Sequence, residues 1–127
     1  MSGTLRGMAE TVGSEQAAAG VEVVVVRGEH DLATAGDLRG SIETAVGRAA
    51  GVVVDLSRAT FIDSAVLQVL LTGRDRADEA GVGYVIALGD GTGHAVRRLL
   101  ELTGLDRRLP LADGRDAAVQ AAAPSAP

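Results

Sequence analysis

Three short runs rich in β-branched or apolar residues, separated by longer stretches of helical periodicity, constrain this chain more than any other feature. Val21 to Arg27 reads VEVVVVR and stops at Gly28; Val52 to Asp55 reads VVVD; Tyr84 to Leu88 reads YVIAL. Each is a strand by residue type and by its flanking punctuation. Between the first two lies a helix with Thr34 as cap and Asp37 three residues on, a start that looks like a capping box. Its apolar positions Leu38, Ile42, Ala45, Val46 and Ala49 recur at helical spacing. A second helix runs from about Ser64 to Ala80, turning Leu67, Leu70, Leu71 and Ala77 inward and ending at Gly81. Strands that alternate with helices in this way predict an α/β domain whose crossovers make at least part of the sheet parallel.

The rest of the chain is read around that frame. Residues 1–20 are rich in Gly, Ser, Ala and Glu, and Leu5 to Val12 forms either a weak edge strand or a flexible lead. After the third strand, Gly89-Asp90-Gly91-Thr92-Gly93 leads into a helix carrying Val96, Leu99 and Leu100. Gly104 is that helix's C′ residue, with apolar Leu105 behind it. Leu109 to Leu111 adds a short strand, and Asp113 caps a last, Ala-rich helix. The domain is expected over residues 21–119, with 120–127 a flexible tail.

Composition removes several classes of function. The chain has 127 residues, room for one domain with a single core. It is 46% hydrophobic but 2% aromatic, so Val, Leu, Ile and Ala must build that core. All 12 basic residues are arginine, scattered singly or in pairs, and the net charge is −5. A nucleic-acid surface would need a basic patch interleaved with stacking aromatics, which is absent. Zero cysteines exclude disulfides, thiolate metal sites and cysteine nucleophiles. His30 and His94 lack metal-ligand spacing, so no metal and no cofactor are expected. No run approaches the ~20 apolar residues of a membrane span, and the N-terminus lacks a secretory pattern. A cytoplasmic location is the simplest reading.

Chemistry is concentrated in Gly51 to Leu71, GVVVDLSRATFIDSAVLQVLL. Asp63 and Ser64 fall at a helix start, where free N–H groups and the helix dipole favour an anion. Either residue can cap the helix. The GDGTG loop invites a phosphate-cradle reading, but it lacks the Lys-Ser/Thr of a P-loop and the GxGxxG spacing. A Ser64 nucleophile with His94 as base and Asp31 or Asp55 as orienter would make a hydrolase, yet no GxSxG elbow is present. His30 reads as a partly exposed loop histidine, and Asp31 as a pre-helix acid.

GEHDLATA at Gly28 to Ala35, VVVDLSRATFIDSAVLQVLL at Val52 to Leu71 and RRLLELTGLDRRLPL at Arg97 to Leu111 together resemble the STAS domain family. The type most similar is the stand-alone bacterial anti-sigma-factor antagonist, and the likeness covers roughly residues 20 to 120. The resemblance implies a STAS-like single domain: a mixed, mostly parallel sheet of four to five strands flanked by four helices. It also implies a non-catalytic regulatory role by partner switching. The unmodified domain would bind an anti-sigma factor that is itself a serine kinase, and phosphorylation would release it. It places Asp31, Asp63, Ser64, Ala65 and Val66 on the docking surface, with Thr34 and Thr60 nearby.

The motif Asp-Ser-Ser/Thr-Gly that such antagonists carry at the helix start is altered here. Asp63 matches the acid and Ser64 the first hydroxyl. The phosphoacceptor position falls on Ala65, which has no oxygen to modify, and Val66 replaces the glycine. Three readings follow: a permanently competent antagonist, a transfer of the acceptor role to Ser64, or another STAS role as a scaffold, transporter-associated or nucleotide-sensing module. The first requires the least change, because losing a hydroxyl need not damage docking.

Overall fold

All six residues from Val21 to Val26 are buried, because the strand they belong to lies inside a sheet covered on both faces. The computed structural model describes residues 11–124. Five strands, β1 (Thr11–Gln16), β2 (Val21–His30), β3 (Gly51–Ile62), β4 (Gly83–Leu88) and β5 (Leu111–Asp113), lie side by side in chain order. β1 is antiparallel to β2, and the remaining pairs are parallel. Five α-helices connect or follow them: α1 (Leu32–Arg48), α2 (Ser64–Ala80), α3 (His94–Leu102), α4 (Leu105–Arg108) and α5 (Arg115–Ala122), with a 3-10 turn at Ala18–Gly20. β1 overlaps the segment read as a weak edge strand or flexible lead, Leu5 to Val12, only at Thr11 and Val12. The part of that segment in residues 5–10, and tail residues 125–127, lie outside the described residues.

The alternation of side chains along the strands divides the core in two. Val24, Val26, Val52, Val54 and Ile86 pack with Leu38 and Ile42 of α1, Leu67 and Leu70 of α2, and Val96 and Leu100 of α3. On the opposite face Val21, Val23, Val25, Val53, Val85 and Ala87 pack with Ala118 and Ala122 of α5, with Ala17, Ala112, Val119 and Ala123 at the margin. Gly51 and Gly83 allow that helix to settle. A Cβ at either would come within 2.1 or 2.2 Å of the Ala122 carbonyl oxygen. Their role is close approach of one backbone to another.

Several expectations are corrected. β2 does not stop at Gly28 but bends there: Gly28 takes φ +84 and the register against β3 slips just beyond it, a bulge that re-aims the strand. β3 likewise continues through the polar stretch after Asp55 to Ile62, because the far end of β2 pairs with it from Arg27 to His30. α1 is capped by Asp31, not Thr34. Asp113 ends β5 and does not cap α5, whose N-cap is Gly114 without a side-chain bond. The short strand lies at Leu111–Asp113, later than expected; the mixed, mostly parallel five-stranded sheet flanked by helices agrees with the expected fold.

Candidate functional site

The C-terminal ends of β2 and β3 bring the starts of α1 and α2 together. Asp31 leaves β2 in an extended conformation and caps α1: its Oδ1 accepts the Ala33 N–H at 2.9 Å, while its own N–H donates to Thr34 Oγ1 at 3.2 Å. Asp63 does the same for α2, with Oδ1 accepting the Val66 N–H at 3.1 Å. Its second oxygen reaches across the gap. Oδ2 accepts the N–H of Leu32, the first residue of α1, at 3.1 Å. One carboxylate therefore satisfies donors at two helix starts, where both dipoles favour negative charge.

Around this bridge the first turn of α2 presents different chemistry on each side. Ser64 is exposed and, among the described residues, makes no side-chain hydrogen bond. Ala65 is half-buried against the edge of the core. Val66 is fully buried, packed inward with Leu67 and Leu70. That overturns its expected place on the docking surface. Its side chain fills the core, and its β-branched bulk faces away from any approaching partner. Thr60 is exposed beside the site, and Thr34 is half-buried in the α1 cap.

Two residues overlooked in the sequence complete the face. Leu32 is 77% exposed and Phe61 is 43% exposed, although both are large and apolar. Leu32 stands three residues before buried Ala35, so helical spacing alone would bury it. Its exposure follows from its place in the first turn, at the sheet margin. Phe61 precedes buried Ile62, and strand alternation turns it outward. This end of the sheet thus carries exposed apolar Leu32 and Phe61 and half-buried Ala65 beside the helix starts that Asp31 and Asp63 cap.

His30 is not an exposed loop histidine. It is the last residue of β2 and is 1% exposed. Its Nε2 lies 2.7 Å from the Arg27 carbonyl oxygen, and its Nδ1 lies 3.0 Å from Thr34 Oγ1. Since a carbonyl only accepts, Nε2 carries a hydrogen, and the ring links the β2 bulge to the α1 cap.

The glycine loop has a structural explanation. Thr92 Oγ1 donates to the Leu56 carbonyl at 2.9 Å and accepts the Gly89 N–H at 3.0 Å, while the Gly93 N–H donates to the Ala59 carbonyl at 2.8 Å. Cβ atoms at Gly91 and Gly93 would come within 2.6 Å of the Ser57 and 2.3 Å of the Thr60 carbonyl oxygens. The loop is glycine-rich because it lies against the extended half of β3. Its N–H groups at Gly89, Thr92 and Gly93 are used internally and do not line a phosphate cradle.

The imagined hydrolase constellation is not assembled. His94 is exposed at the start of α3 and hydrogen-bonds neither Ser64 nor an acid. Asp31 is occupied as a cap, and Asp55 is engaged with Ser57 and Arg115 on the other face of the sheet. No group of three or more potential metal ligands occurs among the described residues. No helix among them is long and apolar enough to cross a membrane.

Comparison with known proteins bears on this geometry. The family model described as "Mlab, STAS domain" matches residues 14–113. An anti-sigma-factor antagonist from Mycobacterium paratuberculosis is 34% identical, with 88% of this chain and 92% of that one covered at a TM-score of 0.77. The Bacillus cell-fate determinant SpoIIAA in its phosphorylated form is 19% identical, with 84% and 93% covered at 0.63. Unphosphorylated SpoIIAA is 16% identical, with 84% and 91% covered, also at 0.63. At such identities the two SpoIIAA structures speak for the fold alone. No curated protein matches the chain.

Proposed function

The chain belongs to the STAS domain family, and on that premise we propose that it is a non-catalytic regulatory binding protein, an anti-sigma-factor antagonist that lacks the usual phosphorylation switch. Its docking face is the first turn of α2 with the start of α1: Asp31, Asp63, Ser64 and Ala65, flanked by Leu32, Phe61 and Thr60. The partner is an anti-sigma factor of the serine-kinase kind, met in the cytoplasm.

One observation carries this reading. At the second position of α2, where the family motif has its acceptor hydroxyl, this chain has the methyl group of Ala65, half-buried against the core. Nothing at that atom can receive a phosphoryl group. The surrounding face keeps its exposed apolar residues and its carboxylate bridge. A phosphate would add roughly −1.5 to −2 charge beside Asp31 and Asp63, which is how modification would disrupt docking in a switched relative. Without an acceptor, the antagonist stays in its binding-competent form, and regulation must come through its abundance or its partner.

The test is incubation of the full chain with its partner kinase and ATP, followed by intact mass spectrometry and size-exclusion chromatography. A stable complex with no mass increase is expected. Stoichiometric phosphorylation at Ser64 would overturn the unswitched reading, and absence of any complex would overturn the antagonist assignment.

A further inference from the structure

Among the described residues, α5 is the one helix that packs on the face of the sheet opposite α1, α2 and α3. Beyond that helix, over the far halves of β2 and β3, lies a cleft of about 310 Å³. Arginines dominate its charged lining. Arg27 and Arg58 are direct register partners on the two parallel strands, and both are exposed into it. Arg115, the first residue of α5, closes one side.

The acids in the cleft are already committed. Asp55, 3% exposed, accepts the Ser57 N–H at 2.9 Å and the Ser57 hydroxyl at 2.6 Å through Oδ1. Its Oδ2 accepts Arg115 Nε at 3.1 Å and lies 3.0 Å from Nη2. Glu15 Oε2 accepts Arg115 Nη1 at 2.7 Å. Both carboxylates are thus turned to Arg115. Among the described residues, Arg27 and Arg58 have no carboxylate within ion-pair distance. Among the described residues, three guanidinium groups stand against two carboxylates in this cleft, on a chain whose net charge is −5.

Like charges directly opposite on neighbouring strands are destabilising unless something lies between them. Two adjacent guanidinium forks are also the best side-chain match to a tetrahedral oxyanion, since each offers paired N–H donors in one plane. The uncapped N-terminus of α5 beside Arg115 adds its positive dipole end. We propose that the cleft between Arg27, Arg58 and Arg115 binds a small dianion of the phosphate class. The cleft shares no lining residue with the proposed partner-docking face.

The experiment is calorimetric titration of the full chain with inorganic phosphate and with pyrophosphate, at low ionic strength, against chloride of matched ionic strength. Saturable binding is expected in the parent protein, weakened at least about tenfold by Arg27→Gln and by Arg58→Gln and unchanged by Arg107→Gln on distant α4. Absence of saturable binding, or variants at positions 27 and 58 that bind within about twofold of the parent, would overturn the site. Thermal unfolding without phosphate gives a second readout. Arg58→Gln is expected to match or exceed the parent melting temperature because it relieves the like-charge pair. A clearly lower value would mean that the arginines already have protein partners, and would also overturn it.

Discussion

Asp63 and Leu32 are 31 residues apart in the chain, yet Oδ2 of the first accepts the backbone N–H of the second at 3.1 Å. The same carboxylate caps α2 through Val66, so the relative position of two helix starts rests on one side chain. Removing it leaves two donors without their acceptor. Asp63→Ala is expected to destabilise the domain by about 2–4 kcal/mol, the sum of a lost N-cap and a lost charge-assisted bond. Asp63→Asn, which keeps one acceptor oxygen, should recover part of that. Urea unfolding of both variants checks the order, and equal loss in the two would refute the double role.

Ala65 stands at the second position of α2, where an added carboxylate meets the positive end of the helix dipole. Ala65→Asp should therefore leave stability within about 1 kcal/mol of the parent. On the proposed docking face the same charge should weaken partner binding at least about tenfold, through desolvation and repulsion by Asp31 and Asp63. Calorimetry that finds undiminished affinity in a folded Ala65→Asp protein would show that this turn is not the interface.

Glycine substitutions should have opposite signs at two places. At Gly93 a Cβ would lie 2.3 Å from the Thr60 carbonyl oxygen, with backbone that cannot swing aside. Gly93→Ala should cost about 1–3 kcal/mol and disturb the end of β3 beside the proposed docking face. At Gly40, on the exposed side of α1, a Cβ meets nothing within 4 Å. Gly40→Ala should stabilise by about 0.5–1 kcal/mol through helix propensity alone. Thermal melts of the two variants that moved in the same direction would contradict the packing described.

Glu22 and Arg48 tie the start of β2 to the end of α1. The Glu22 carboxylate, almost without exposed surface, accepts Arg48 Nε at 2.8 Å and Nη2 at 3.0 Å. The hydrogen bond from Arg48 outweighs the opposing effect of burial and holds this carboxyl below its ordinary value of 4.5. A group depressed by folding stabilises the native state above its unfolded value, and that contribution is lost as pH falls through the folded one. The stability difference between the parent and Glu22→Gln should therefore be constant near neutrality and shrink below pH 4.5. Denaturation curves across the acid range would show it, and a pH-independent difference would argue against the pairing.

The strand–helix alternation, the α2 span from Ser64 to Ala80 and its Gly81 terminus were all legible in the sequence. So was the likeness to the STAS family, carried by motifs spread along the chain. These features are local: β-branched runs, a 3.6-residue period, and a left-handed cap at φ +70 need no distant residue to be recognised. The replacement of the acceptor hydroxyl at Ala65 was equally plain, because it is a matter of residue identity.

What tertiary structure decided was where those residues face and what they touch. Residue type did not reveal that β2 and β3 continue through polar residues, since pairing between the two strands, with a bulge at Gly28, sustains them. Nor did it reveal that Val66 turns inward while Leu32 remains outside, because helical spacing gives a stripe but not where the sheet beneath it ends. His30 is buried because its two ring nitrogens find the Arg27 carbonyl and the Thr34 hydroxyl only in the folded chain. Local periodicity determines elements. The bridge from Asp63 to Leu32, and the register of Arg27 beside Arg58, come only from bringing distant segments together.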